Sequence, residues 1–100
     1  MVGAVVGCMM KAAVEKGDVK ELAELIRQDP GFNVNTQDEY GCTLLHNACC
    51  DSKRSAVIPL LLAHPDIDVH VKNTDGAAPF YLACYNGTTS SVRLMLKDSR

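Results

Sequence analysis

The sequence lacks a large net charge, and this narrows the classes of partner that it suggests. Its 10 basic and 12 acidic residues leave a formal net charge of −2 at pH 7. A surface so nearly neutral gives little attraction to nucleic acid or to an anionic membrane. We therefore predict that neither is a partner. One hundred residues is also the usual length of one domain with a single modest core.

Long apolar segments are absent as well. The most apolar stretch is residues 1–10, whereas a transmembrane helix needs about 20 apolar residues. A secretory signal would begin with basic residues, but the first positive charge is Lys11. We predict no membrane role for this stretch, which either packs at the edge of the fold or is a remnant foreign to it.

No two cysteines have the CxxC spacing that is common in metal sites. The five cysteines are Cys8, Cys42, Cys49, Cys50 and Cys84. Their number is odd and three of them occupy apolar positions of predicted helices, where a free thiol behaves as a small hydrophobic group. We expect reduced thiols and an intracellular, cytoplasmic location.

Catalytic patterns are missing too. The chain has no nucleophile and base at a recognisable spacing, no glycine-rich phosphate loop and no acidic cluster with metal spacing. His46 and Cys50 are four residues apart on a predicted helix, but structural zinc needs four ligands. Asp38 and Asp75 are expected to accept hydrogen bonds from turn backbone rather than to act as acids or bases. We predict no enzyme activity, no metal and no cofactor.

What the sequence does contain is an internal repeat. Residues 38–50 recur as residues 73–85, so that Gly41 corresponds to Gly76 and Ala48 to Ala83, each 35 residues later. The same offset relates Leu22, Val57 and Val92; Leu25, Leu60 and Met95; Ile26, Leu61 and Leu96; and Val34 and Val69. A fixed period of this length is typical of a solenoid, in which each unit buries its apolar face against its neighbours.

Apolar residues at i, i+3 and i+4 predict two helices in each unit. The first unit has this pattern in residues 9–16 and 19–26. In the second unit Thr43 is the expected N-cap, and Leu45, Ala48 and Cys49 form the buried face. The following helix is expected to begin after Ser55, which would place Pro59 at the fourth helical position.

The third unit repeats this arrangement. Pro79 is expected at the first helical position, Phe80, Ala83 and Cys84 form the apolar face, and a final helix carries Val92, Met95 and Leu96. Ala78 stands where Thr43 caps the second unit, so we expect a weaker cap there by about 1 kcal/mol.

These units resemble ankyrin repeats over residues 9–100. The family signature is an aspartate three residues before a glycine, followed by Thr-Pro-Leu-His-x-Ala. It is matched by Asp38, Gly41, Thr43, Leu45, His46 and Ala48, and again by Gly76, Pro79, Phe80 and Ala83. Leu44 replaces the signature proline, Ala78 the threonine and Tyr81 the histidine, and the unit is 35 residues long instead of the usual 33.

The resemblance implies an all-α, ankyrin-type solenoid of helix-turn-helix units joined by short β-hairpin-like loops. Residues 1–100 would form one ankyrin-repeat domain: an amino-terminal repeat or cap at 1–37, a second repeat at 38–72 and a truncated third repeat at 73–100. It also implies that the His46 imidazole bonds to neighbouring backbone and ties adjacent units together.

The resemblance further implies a protein-protein interaction module that binds through hairpin tips and the concave face of the inner helices. The residues of this chain at those positions are Glu15, Lys16, Glu39, Tyr40, Cys42, Asn47, Cys50, Asp51, Thr74, Asp75, Ala77, Tyr85 and Asn86. Tyr40 and Tyr85 are the strongest candidates, because tyrosine is enriched in binding hot spots. The excess of acidic residues predicts a partner protein with a basic segment.

Two other hypotheses remain at this stage. A structural module could self-assemble into a homo-oligomer through apolar end repeats. Alternatively, the chain is a fragment of a larger multidomain protein, as the abrupt end of the third unit suggests.

Overall fold

The computed structural model describes the backbone of residues 2–98 and the side chains of residues 7–98. All regular structure in these residues is helical, which confirms the all-α prediction. The helices are α1 (Val2–Lys16), α2 (Val19–Gln28), α3 (Leu44–Cys49), a 3₁₀ helix (Ser52–Val57), α4 (Ile58–Leu62), α5 (Pro79–Tyr85) and α6 (Thr89–Lys97). They form three consecutive pairs, with α3, α5 and α1 as inner helices.

The first pair buries the predicted face of α1, since Met10, Ala13 and Val14 have no exposed surface. Gly17 turns the chain with a φ of 68°, and the Asp18 side chain caps α2 by accepting from a backbone N–H three residues on. Helix α1 is longer than predicted and begins at Val2, because extending an existing helix costs far less free energy than starting a new one. The side chains of residues 1–6 lie outside the described part, so the edge-packing prediction for them stays a prediction.

The second pair confirms Thr43 as the N-cap of α3, with Leu45, Ala48 and Cys49 fully buried. The next helix starts late, as the sequence indicates, but the expected Ser55 N-cap was wrong. Residues 52–57 form a 3₁₀ helix, and α4 begins only at Ile58, so Pro59 is near its start rather than at the fourth position. Asp51 accepts from the Lys53 N–H at 2.9 Å and so starts the helical turns before Ser55 is reached.

The third pair begins as predicted, with Pro79 at the start of α5 and no side-chain cap from Ala78. Its apolar face, however, is less buried than predicted. Phe80 is 37% exposed, Leu96 is 67% exposed, and Cys84 is exposed too. The equivalent positions Leu45, Leu61 and Cys49 are buried because α5 and α6 pack on them. No described element packs in the same way on the third pair.

The loops between pairs are hairpin-like turns held by an Asx side chain. Asp38 Oδ1 accepts from the backbone N–H groups two and four residues on, both at 2.9 Å. This confirms the turn role predicted for Asp38. In the next loop Asn73 Oδ1 makes the same two bonds, at 2.9 and 3.0 Å. The turn role predicted for Asp75 was therefore wrong, because Asn73 is the residue in register with Asp38.

Successive units are joined by buried and exposed hydrogen bonds. The fully buried His46 accepts from the Thr43 N–H at Nδ1, 3.1 Å away, so its proton is on Nε2, which donates to the Ala77 carbonyl at 2.8 Å. At the loop tips the Thr74 N–H donates to the Tyr40 carbonyl at 3.0 Å. His46 thus ties the second unit to the third, as the resemblance implied.

Gly41 and Gly76 occupy equivalent loop positions in very different surroundings. Their φ angles are +74° and +78°, a region that side chains with a Cβ rarely adopt. A Cβ on Gly41 would lie 2.7 Å from the Thr74 backbone nitrogen, whereas none of the described atoms is within 4 Å of a Cβ on Gly76.

Gly76→Ala should therefore lower the free energy of unfolding by only about 1 kcal/mol, which is the strain of placing a residue with a Cβ at positive φ. Gly41→Ala should cost about 3 kcal/mol, because the neighbouring loop backbone must also move. Urea unfolding of both variants measures the difference. Equal losses would show that the two loops are not packed against each other as described.

Acid should destabilise the protein through His46. Burial lowers the pKa of this imidazole below 6.5, and the bond to the Ala77 carbonyl only partly opposes the shift. The unfolded chain then binds a proton more readily than the folded chain, so stability falls as pH drops below about 6.5 toward the folded pKa. Urea titrations at stepped pH values should show this decline.

The His46→Gln variant should lose that part of the pH dependence, although it is less stable at neutral pH. The exposed His70 provides the matched control, since His70→Gln should keep the decline. An unchanged pH profile in His46→Gln would contradict the assignment.

Candidate functional site

The two tyrosines predicted as binding residues are open to solvent. Tyr40 is 64% exposed and Tyr85 is 76% exposed, so neither ring serves to cover a neighbouring helix. Other predicted residues that are exposed are Glu15, Lys16, Glu39, Cys50, Thr74, Asp75 and Asn86, while Cys42, Asn47 and Asp51 are half-buried.

Several predicted residues are already engaged by the scaffold. Ala77 is only 7% exposed and its carbonyl accepts from His46, so its side chain does not belong to the open surface as predicted. The Asp51 carboxylate caps the 3₁₀ helix, the Thr74 hydroxyl donates to the Tyr40 carbonyl at 2.9 Å, and the Asn86 amide donates to Leu82 at 2.9 Å. These groups are less available to a partner than the sequence suggested.

Asp75 and Tyr85 come together in one cleft between the third loop and α5. Its cavity has a volume of about 570 Å³. It is lined by Asn73, Asp75, Gly76, Ala77, Tyr81, Leu82 and Tyr85. We call this the tyrosine cleft.

Tyr81 is the residue that the sequence analysis missed. It stands in the register position of His46, but it is 58% exposed, where His46 is fully buried. Its ring stacks on that of Tyr85, with centroids 6.0 Å apart and planes inclined by 22°. The available signal was the four-residue spacing of the two tyrosines, which places them on the same face of a helix.

Cys42 and Asn47 lie at a second, separate cavity of about 400 Å³. Its rim holds an ion pair that was also missed, between Lys11 Nζ and Asp38 Oδ2 at 3.3 Å. Burial alone would raise the pKa of Asp38, but hydrogen bonds from the Cys42 and Tyr40 N–H groups, followed by the bond from Lys11, outweigh it and leave this pKa lowered. The bond to Asp38 raises the pKa of Lys11. The predicted contact residues therefore lie in two separate patches. The charges at the second cavity are paired with each other, whereas the tyrosine cleft contains Asp75 and no basic residue among its described lining.

The local chemistry does not assemble a nucleophile. Burial raises the pKa of Cys49 to about 12. Cys50 is exposed as a residue, but its sulfur is partly shielded where it lies against the His46 carbonyl, and this raises its pKa too, so both thiols keep their protons at neutral pH. Cys50 Sγ lies 3.2 Å from the His46 carbonyl, to which it donates, and both ring nitrogens of His46 are occupied. Among residues 7–98, no three His, Cys, Asp or Glu side chains are grouped to hold a metal ion.

The described helices were also compared with the length and hydropathy that a membrane-spanning helix needs. None of the helices in the described part of the chain is both long and apolar enough to cross a bilayer.

Comparison with known proteins agrees with this architecture. The family model described as ankyrin repeats in three copies matches residues 9–100. Human Rabankyrin-5 is 39% identical over 67 residues, which are 67% of this chain and 6% of that protein. Bovine SMC5-SMC6 complex localization factor protein 1 is 40% identical over 66 residues, again 66% of this chain and 6% of the relative. The chain thus spans only a small part of the length of these relatives.

A solved structure shares the fold. A chain in the complex of the Bd0816 predatory endopeptidase from Bdellovibrio bacteriovorus with the immunity protein Bd3460 superposes with a TM-score of 0.80. The match covers 91% of this chain and 46% of that one at 24% sequence identity. With three matching copies over 92% of its length, the chain belongs to the ankyrin-repeat family, whose members generally bind other proteins and are not catalysts.

Proposed function

We propose that this chain binds a partner protein through its loop tips and the concave face of its inner helices, with no catalysis of its own. The observation that carries the proposal is the exposure of three large rings, Tyr40 in a loop and Tyr81 and Tyr85 on the inner helix α5. Tyrosine offers a large contact area at low entropic cost. Rings exposed in this way have no role in the core.

The hydrogen bonds between loops support this proposal, because they hold the binding surface in place before a partner arrives. The Gln37 amide donates to the Lys72 carbonyl at 3.0 Å, and the Thr74 N–H and hydroxyl both donate to the Tyr40 carbonyl. A preorganised surface loses less conformational entropy on binding.

The charges support a partner with a basic segment. Glu15, Glu39 and Asp75 are exposed, and Lys16 is the one exposed base among the predicted contact residues that the structure describes. The near-neutral overall charge favours a protein over nucleic acid or a membrane.

The five free thiols favour a cytoplasmic location. We further propose that residues 1–100 form one domain with units at 1–37, 38–72 and 73–100.

Replacing both predicted contact rings, in Tyr40→Ala/Tyr85→Ala, should weaken partner binding by roughly thirtyfold or more, since hot-spot tyrosines each contribute about 1–2 kcal/mol. A pull-down identifies the partner, and calorimetry with the purified partner measures the loss. The fold should be unchanged, because both rings are largely exposed.

Leu96→Ala is the matched control, because it removes a 67% exposed apolar side chain from a different face. It should bind like the unchanged chain. If Leu96→Ala loses the partner and the tyrosine variant keeps it, the binding surface is not the concave face.

A second candidate function, self-association, is favoured by one observation. A mostly apolar groove of about 510 Å³, which we call the end face, is lined by Val69, His70, Ala78, Phe80, Tyr81, Cys84, Met95 and Leu96, and it shares Tyr81 with the tyrosine cleft. It continues the surface that the second unit presents to the third, where Leu45 and Leu61 are fully buried. A second copy of this chain could therefore cover it by the same kind of packing.

Self-association through the end face predicts a sedimentation coefficient that rises with concentration across the micromolar range. Leu96→Glu should abolish the rise by placing a charge on the apolar groove. The Tyr40→Ala/Tyr85→Ala variant should still associate. A chain that stays monomeric throughout the series would exclude this candidate.

A further inference from the structure

The tyrosine cleft has the composition of a site for one particular side chain. From its geometry we infer that it receives an arginine of the partner, with the guanidinium group lying against the Tyr81–Tyr85 stack and bonded to the Asp75 carboxylate. This inference rests on the proposed binding function and goes beyond it by naming the recognised group and the residues that recognise it.

The aromatic wall is the first part of the argument. Tyr81 and Tyr85 are one helical turn apart, and their nearly parallel rings leave 58% and 76% of the two residues exposed. The negative face of an aromatic ring attracts a cation, and a planar guanidinium can also stack on it. In the second unit the equivalent of Tyr81 is His46, which bonds to the Ala77 carbonyl, and in the first unit it is Lys11, so among the described residues this aromatic wall is found in the third unit alone.

The charge of the cleft is the second part. Asp75 is exposed, and its carboxylate makes no hydrogen bond or ion pair with any described residue. Its backbone N–H is bonded to Asn73, which has taken over the turn role that Asp38 plays one unit earlier. By contrast, Asp38 is neutralised by Lys11 at 3.3 Å. The cleft therefore holds one unpaired negative charge, and none of its described lining residues is basic.

The third part is the exclusion of other side chains. An acidic group would be repelled by Asp75, and a purely apolar one would desolvate that carboxylate without replacing its bonds to water. Lysine would satisfy the charge, but its ammonium is compact and strongly hydrated and cannot stack. Arginine satisfies both the Asp75 carboxylate and the aromatic wall, since its fork of N–H donors matches a carboxylate while its guanidinium plane lies on a ring.

The cleft can be tested with blocked pentapeptides that carry arginine, lysine, glutamate or citrulline between flanking glycine and serine residues. Citrulline keeps the shape of arginine and removes its charge. Titration of the isotopically labelled chain up to about 10 mM peptide, followed by NMR, suits the weak affinity of so small a probe. Backbone signals of Gly76 and Ala77 and ring signals of the two cleft tyrosines report on the site.

Arginine should bind roughly tenfold more tightly than citrulline, and more tightly than lysine, with shifts confined to the cleft. Asp75→Asn and Tyr81→Ala should each weaken binding of the arginine peptide several-fold. Asp66→Asn is the control for the lost carboxylate, because Asp66 is exposed on another loop. Met9→Ala is the control for the loss of an exposed large side chain, because Met9 is 43% exposed on α1, which contributes no residue to the cleft lining. Both controls should bind normally.

Equal binding of the arginine and citrulline peptides, equal binding of the arginine and lysine peptides, shifts outside the cleft, or no shift at the highest concentration would each overturn the inference. A normal arginine titration with Asp75→Asn would do the same. These outcomes leave the proposed function standing, because the partner pull-down depends on Tyr40 and Tyr85 whatever the charge of the bound group. Loss of the pull-down result would instead remove the proposed function itself.

Discussion

The bond between the His46 imidazole and the Ala77 carbonyl is the constraint on which the array depends. It is buried, it spans 31 residues of sequence, and it joins the inner helix of one unit to the loop of the next. The Thr43 N–H fixes which ring nitrogen carries the proton, so one threonine caps its helix and also orients the histidine. A single helix start thereby determines both where α3 begins and where the following loop lies.

The fold could be predicted largely because its determinants are local and repeated. Thr43, Gly41 and the apolar positions around Leu45 each act over three or four residues, and the second copy shows which features belong to the scaffold. The errors arise where the structure depends on a competing residue or on an element elsewhere in the fold. Asp51 competes with Ser55 to start the next helix, and the exposure of Phe80 depends on whether another element packs there rather than on its own pattern.

The candidate site was less accessible to sequence reasoning. Tyr40, Asp75 and Tyr85 were recognised because they fall outside the scaffold positions, and the structure leaves all three exposed. Tyr81 was overlooked since its register position is that of a buried histidine, and no sequence rule shows that the side chain at that position faces solvent. Asp75 was also assigned to the turn by its residue type, although the repeat places Asn73 in register with Asp38 and Asn73 Oδ1 makes the turn bonds. Whether a side chain is hydrogen-bonded or free depends on which partner lies beside it in the fold, so residue type alone cannot reveal it.

The missing histidine in the third unit also affects how the protein fluctuates. Ala78 provides no side-chain cap for α5, and Tyr81 does not make the tie that His46 makes. Fewer bonds must therefore break for α5 and α6 to separate locally from the array than for α3 to do so, and regions of this kind open at a lower free energy than the whole fold. The tyrosine cleft stands on this more easily opened element. Occupancy of the cleft would then draw the end of the array into the cooperative unit, so that binding and local order are thermodynamically linked.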